Sequence, residues 1–361
     1  MKATAVLAAL GQSLWLDNIT RELLSSGTLA RYIAELSVTG LTSNPTIFEQ
    51  ALKSGGGYDR SIRALRERGL SGEQLFFELA LEDIGAAADL LRPAWERTAG
   101  VDGWVSLEVS PLLARDTAGT LAAARDLHAR AARPNVMIKI PGTQEGLPAI
   151  EEAIFAGVPV NVTLLFSSEQ YLAAAEAYLR GVERRIAAGL RPDVGSVASL
   201  FVSRWDKAVQ GKTPEALRGR LGIAAARRAY AAGRRLHESP RWLAAANAGA
   251  RPQRLLWAST GTKDPALRDT LYVEALAAPL TVNTMPEATL KAFAEHGAVG
   301  APLPADGGDC EEVLASFGRA GVDVGMLAER LQVEGAAAFV ASWNALLGEL
   351  AARGASVSSA R

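Results

Sequence analysis

The sequence predicts an α/β protein, a single (β/α)8 TIM barrel over residues 1–361 with extra helices between strands and at the C-terminus. Three observations predict it. Eight short runs are almost continuously apolar or β-branched, as parallel strands covered on both faces are. Long alanine- and leucine-rich amphipathic stretches alternate with them, and no linker interrupts the series. The turn after the first run, Leu16-Asp17-Asn18-Ile19-Thr20, lacks the glycines of a nucleotide-binding open sheet, which makes the doubly wound sheet the second choice.

The strands are expected at 13–19, 38–42, 103–109, 135–140, 158–165, 194–202, 254–259 and 280–284. Thr143 precedes a helical run to Ile154, and Ser167 with Gln170 forms a capping box before the run 171–188. Pro265, after Asp264, and Pro286, after Met285, each stand where a first helical turn tolerates proline. Residues 45–100 are long enough for two or three helices, and 203–250 for a helical excursion. From about 286 to 350 a C-terminal helical set is expected to pack on the barrel. Residues 354–361 read as a small, polar, flexible tail.

Composition excludes several function classes. The chain carries 38 basic and 39 acidic residues, so it lacks the basic excess of a nucleic-acid or membrane-surface binder. One cysteine excludes an internal disulfide, and three histidines far apart in sequence offer no zinc cluster, so no metal is expected. No run approaches the ~20 apolar residues of a membrane span. Residues 1–10 hold one lysine and a short apolar stretch without a convincing cleavage site, so a cytoplasmic location is expected. A homo-oligomer is compatible with the sequence. Seven of the basic residues are lysines and 31 are arginines, so each lysine position carries information.

Barrel enzymes place their chemistry at the C-terminal ends of the strands. Polar residues interrupt the apolar runs there: Asp17, Thr42 with Asn44, Glu108, Lys139, Asn161 with Thr163, Ser199 with Arg204, and Ser259 with Lys263. Lys139 lies between Ile138 and Ile140. Desolvation there is expected to lower its pKa from the ~10.4 of a free lysine and to supply the neutral amine that attacks a carbonyl. Arginine cannot do this. The alternative is a buried structural ion pair with Glu108 or Asp17. The convergence of both carboxylates with Asn44, Asn161 and Thr163 on the same barrel end favours chemistry. Two carboxylates in unlike surroundings could divide the proton transfers of imine formation and carbon–carbon cleavage. Asn44 and Asn161 can bind substrate hydroxyls or hold the lysine; the alternative is strand-end or turn hydrogen bonding, which Asn-Pro itself signals for Asn44. The segment Ser259-Thr260-Gly261-Thr262-Lys263, leading to the expected proline-started helix, with Arg204 beside it, suits a phosphate.

Other features point to structure. Ser54-Gly55-Gly56-Gly57 lacks the lysine of a phosphate-binding loop and reads as a flexible connection. The arginine-rich run 218–235 reads as a solvated helix face. Cys310 has no neighbouring base.

With these residues in place, the chain resembles the transaldolase family, in its longer bacterial form. The matching segments are Gly40-Leu41-Thr42-Ser43-Asn44-Pro45-Thr46, Ile138-Lys139-Ile140-Pro141-Gly142-Thr143, Asn161-Val162-Thr163-Leu164-Leu165-Phe166 and Ser199-Leu200-Phe201-Val202-Ser203-Arg204. The resemblance runs from about Trp15 to Pro286. It implies a class I aldolase-type barrel without metal or cofactor. Such an enzyme moves a dihydroxyacetone unit from sedoheptulose 7-phosphate or fructose 6-phosphate to an aldose phosphate, in the non-oxidative pentose phosphate pathway. It further implies Lys139 as the Schiff-base nucleophile and Glu108 as the acid/base for dehydration, with a water held near Thr163. Asp17 is implied as the base for bond cleavage. Asn44 and Asn161 are implied at the dihydroxyacetone portion, Ser199 and Phe201 among the substrate-binding residues, and Arg204, Ser259 and Lys263 at the phosphate; shorter members carry arginine in the region of Lys263. A Schiff-base lyase and a sugar-phosphate-binding barrel without activity are the alternatives.

Overall fold

A computed structural model describes residues 1–53 and 56–359, the last three by their backbone only. Its strands are β1 (Gln12–Asp17), β2 (Val38–Thr42), β3 (Trp104–Glu108), β4 (Val136–Pro141), β5 (Val160–Leu165), β6 (Ser196–Phe201), β7 (Arg254–Ala258) and β8 (Thr281–Met285). Each pairs in parallel with the next, and β8 closes on β1, so the sheet is the expected barrel. Every expected strand is present, with ends displaced by at most two residues.

Strand alternation sorts the side chains. Ile138 and Ile140 belong to the large apolar cluster shared with the helices. Trp15, Trp104, Met137, Val197 and Leu256 pack together in the second cluster. Two residues further along their strands stand Asp17, Ser106, Lys139, Ser199 and Ala258. A barrel interior is filled in such layers, here aromatic and aliphatic below and polar above. Gly40 makes room for the lower layer, because a Cβ there would overlap the Trp15 indole. Gly40→Ala is expected to destabilise the chain by about 1–3 kcal/mol through overpacking. A thermal melt unchanged by the substitution would contradict this account of the layer.

Between β2 and β3 lie three helices, Pro45–Lys53, Asp59–Glu67 and Gly72–Arg97, and between β6 and β7 lie Ser203–Val209, Leu221–His237 and Pro240–Asn247. The Ser167 capping box is formed, with Ser167 Oγ accepting from Gln170 N at 3.2 Å. The first ten residues hold the helix Ala3–Ala9, which buries Leu7 completely. No helix among the described residues is long and apolar enough to cross a membrane.

Some local expectations need correction. No helix starts at Pro265. Residues 261–270 form turns, and the helix that follows, Leu271–Ala275, has only five residues. Asp264 is the cause: it takes both Arg218 Nε and Nη2 at 2.7 and 2.8 Å while Oδ1 accepts from Ala266 N. That pair ties the segment to the 210–220 loop and turns the chain where a helix would begin. The arginines of 218–235 also do more than face solvent: Arg227 bonds Asp309 and Arg228 bonds Glu311, tying Leu221–His237 to the helix Cys310–Arg319.

The last helix, Val324–Ser359, runs past Gly354, where the sequence suggests a tail; residues 360–361, like Ser54 and Gly55 of the glycine-rich connection, lie outside the described residues. This helix crosses the C-terminal end of the barrel. Gln332 Nε2 donates to Gly142 O and Leu164 O at 3.1 and 2.9 Å, Thr46 Oγ1 to Ser342 Oγ at 2.8 Å, and Trp343 Nε1 to Glu73 Oε1 at 2.8 Å. Gly335 permits the close approach, since a Cβ there would come to 3.0 Å from Leu164 and 3.1 Å from Arg204.

Candidate active site

A cavity of about 400 Å³ opens at the C-terminal end of the strands, with Lys139 in its wall. Parallel pairing explains the convergence, since register partners present their side chains side by side. Glu108 of β3 is the register partner of Lys139 on β4, which is in turn the partner of Asn161 on β5. Asp17 on β1 stands beside Thr42 on β2.

The Lys139 ammonium donates to Glu108 Oε2 at 3.1 Å and to Ser43 O at 3.3 Å, and the residue is only 5% exposed. The ion pair and the catalytic arrangement weighed from the sequence are therefore one structure: the amine is paired with a carboxylate placed to accept its proton. Burial raises the Glu108 carboxyl above its ordinary range, against the charge and hydrogen bond of Lys139. Its other oxygen, Oε1, is buried and bonds to no protein atom, and neither does the buried Thr163 hydroxyl. Desolvation raises Asp17 as well, opposed by Lys139, the Thr42 hydroxyl and Lys263. The two carboxylates differ in partner: Asp17 Oδ1 accepts from Thr42 Oγ1 at 2.8 Å, whereas Glu108 holds the amine.

The asparagines part company. Asn44 lines the cavity; its Oδ1 accepts from Ile47 N at 3.1 Å, within the helix start that Asn-Pro signals. Asn161 is fully buried and lies outside the lining. Its Nδ2 donates to Ser106 Oγ at 3.0 Å, and Ser199 Oγ donates to its Oδ1 at 2.7 Å. It therefore braces Ser106 and Ser199 beside its register partner Lys139. Ser199 and Phe201 line the wall.

The cavity lining carries three further cations. These are Arg204, Lys207 and Lys263, and no ion pair or hydrogen bond engages them among the described residues. The Arg204 guanidinium packs over the rings of Phe201 and Phe339, at 4.9 and 5.7 Å from their centroids. Burial lowers its pKa, with Glu108 opposing. Ser259, held at a left-handed φ of 56°, bonds the Ser203 hydroxyl at 3.0 Å. Unpaired cations with hydroxyls in a half-buried recess suit an oxyanion such as phosphate. Among the described residues no cluster of His, Cys, Asp or Glu side chains is placed to hold a metal ion.

Sequence reasoning missed Lys207 and Phe339. Lys207 follows Arg204 by three residues on the helix Ser203–Val209, so helical spacing was its signal. Phe339 had no signal: it lies 200 residues from Lys139 in the chain. Cys310 is buried, and burial pushes its thiol up, away from a nucleophile's range.

Residues 14–350 match the family described as transaldolase/fructose-6-phosphate aldolase. A transaldolase of Parafrankia sp. is 48% identical over 96% of both chains, and one of Thermobifida fusca is 49% identical with the same coverage. A third, from Thiobacillus denitrificans, is 46% identical over 97% of this chain and all of its own length. Identity at that level over matching lengths leaves no part of the barrel unaccounted for: the chain belongs to the transaldolase/fructose-6-phosphate aldolase family.

Proposed function

We propose that the chain is a transaldolase that works through an imine at Lys139, in the sugar-phosphate interconversions of the non-oxidative pentose phosphate pathway. The observation that carries the reading is the buried Lys139–Glu108 pair, with Asp17 and an unpaired cationic recess around the same cavity. A cytoplasmic location is part of the proposal, and the single cysteine, free and buried, suits a reducing compartment.

The donor ketose places its phosphate on Arg204, Lys263 and Ser259, which directs its carbonyl carbon toward Lys139. Glu108 accepts a proton from the amine, and the freed lone pair attacks C2. The carbonyl oxygen becomes a hydroxyl, which leaves as water after taking a proton from Glu108 through a water held by Glu108 Oε1 and Thr163. Their unpartnered buried oxygens support that role. The resulting iminium withdraws electrons from C3. Asp17 removes the C4 hydroxyl proton, the C3–C4 pair moves onto C3, and the aldose phosphate departs. An acceptor aldehyde then adds at C3 while Asp17 returns the proton, and water at C2 frees the product. Burial holds both carboxylates above their ordinary pKa, which suits groups that must alternately hold and release protons near neutrality.

Borohydride reduction in the presence of fructose 6-phosphate, followed by peptide mapping, is expected to place the adduct on Lys139. An adduct elsewhere, or none, removes the mechanism. Turnover of fructose 6-phosphate that does not depend on added erythrose 4-phosphate would assign a lyase instead of a transferase.

The phosphate assignment has its own test. Arg204→Leu is expected to raise KM for fructose 6-phosphate about 10- to 100-fold, the value of a charged hydrogen bond, while leaving the poor turnover of unphosphorylated fructose unchanged. Equal losses for both sugars would argue against phosphate binding at Arg204.

A further inference from the structure

The C-terminal helix Val324–Ser359 brings one aromatic side chain to the reacting end of the cavity. Phe339 is 6% exposed. Its ring centroid lies 5.6 Å from Lys139 Nζ and 5.7 Å from Arg204 Cζ, so a single ring borders both the imine-forming amine and the cation assigned to the phosphate. A ketose phosphate with C2 at Lys139 and its phosphate at Arg204 would span this ring, with C3 the first carbon beyond C2 on the way to the phosphate. The ring is held in place: the bonds of Gln332 to Gly142 O and Leu164 O lie two turns before it, and the contacts of Ser342 and Trp343 lie one turn after it. An apolar ring fixed by the helix excludes water from what it covers.

We infer that Phe339 shields C3 of the Lys139-bound three-carbon enamine from bulk water, and so favours transfer of that unit over its release. The inference rests on the imine mechanism proposed above and adds to it a residue that governs the outcome. After C3–C4 cleavage the electron pair on C3 has two fates. In transfer it forms a bond to the acceptor's aldehyde carbon, and the aldehyde oxygen takes the proton held by Asp17. In release C3 takes a proton from solvent while Asp17 yields the proton it holds to solvent, water then adds at C2, the C–N bond breaks, and dihydroxyacetone leaves with the lysine amine restored. Water at C2 is common to both routes, on the side of Glu108 and Thr163. Protonation at C3 belongs to release alone, and Phe339 stands in its way.

The test measures, with fructose 6-phosphate, the rate of dihydroxyacetone formation without acceptor and the rate of transfer to erythrose 4-phosphate. Phe339→Ala is expected to raise the ratio of release to transfer about tenfold or more. In deuterated water the released dihydroxyacetone should carry deuterium at the former C3. Phe339→Leu, which keeps an apolar cover, should stay near the unsubstituted ratio. If Phe339→Ala does not fold, Phe339→Val carries the same comparison. A ratio unchanged in the smaller variant, whatever the loss in total rate, overturns the inference, because a merely structural role slows both routes together. Absence of a borohydride adduct on Lys139 in the unsubstituted chain would instead remove the imine mechanism; an adduct with an unchanged ratio removes only the role of Phe339.

Discussion

Replacing Lys139 with alanine is expected to lower kcat on the order of 10⁴-fold or more, about 5.5 kcal/mol of barrier, and to abolish the borohydride adduct. The size follows from the chemistry and from the surroundings. An imine splits one difficult carbon–carbon cleavage into easier steps, and nothing but an amine forms it. The other lysines at the cavity, Lys207 and Lys263, line it without a carboxylate partner among the described residues. Lys139→Arg should be as inactive as Lys139→Ala, because guanidinium keeps its proton. Folding should survive the change. Removing one partner of a buried pair can cost about 3–5 kcal/mol when the other charge is stranded. Burial already favours the protonated form of Glu108, so this carboxyl can take up a proton instead. Circular dichroism and a thermal melt check that the variant is folded; a folded Lys139→Ala chain with measurable turnover would refute the nucleophile.

The second large effect separates the two carboxylates. Asp17→Asn is expected to reduce kcat about 10²- to 10⁴-fold while leaving the borohydride adduct on Lys139. Imine formation draws its proton transfers from Glu108, and only cleavage needs the base at Asp17. The substitution is gentle, because an amide oxygen can still accept the Thr42 hydroxyl that Asp17 Oδ1 accepts at 2.8 Å. Glu108→Gln should do the converse and suppress adduct formation itself. Its amide cannot receive the proton that Lys139 must lose to become a nucleophile. Trapping yield set against turnover for the two variants decides the assignment: loss of adduct in Asp17→Asn with retention in Glu108→Gln would exchange their roles.

Both expectations depend on residues already prominent in the sequence. Lys139 stood out because a chain with 31 arginines keeps one of seven lysines inside an apolar strand. Glu108 and Asp17 stood out as charges near the ends of runs that otherwise read as buried. Strand periodicity is local, so the eight strands and the order of their polar ends could be read without coordinates. Asn161 shows the limit. Its type and position fit a substrate ligand, and its amide is also bonded to Ser106 and Ser199 of two other strands. Periodicity puts a side chain inside the barrel but does not say which partners it meets there. The Asp264-Pro265 segment shows another: the local signal for a helix start is sound, and the ion pair with Arg218 from a distant loop overrides it.

What the sequence determined by itself is the barrel, the polar set at one end of it, and the lysine on which the chemistry turns. These follow from hydrophobic alternation and from residue types whose reactivity is intrinsic. Only the tertiary structure decided which carboxylate pairs with Lys139, where the unpaired cations gather, and that the C-terminal helix sets Phe339 against the amine. Those outcomes depend on barrel closure and on the docking of a helix some 200 residues away. No local pattern encodes such distances, because contacts between remote segments are selected by packing and charge pairing once the chain has folded.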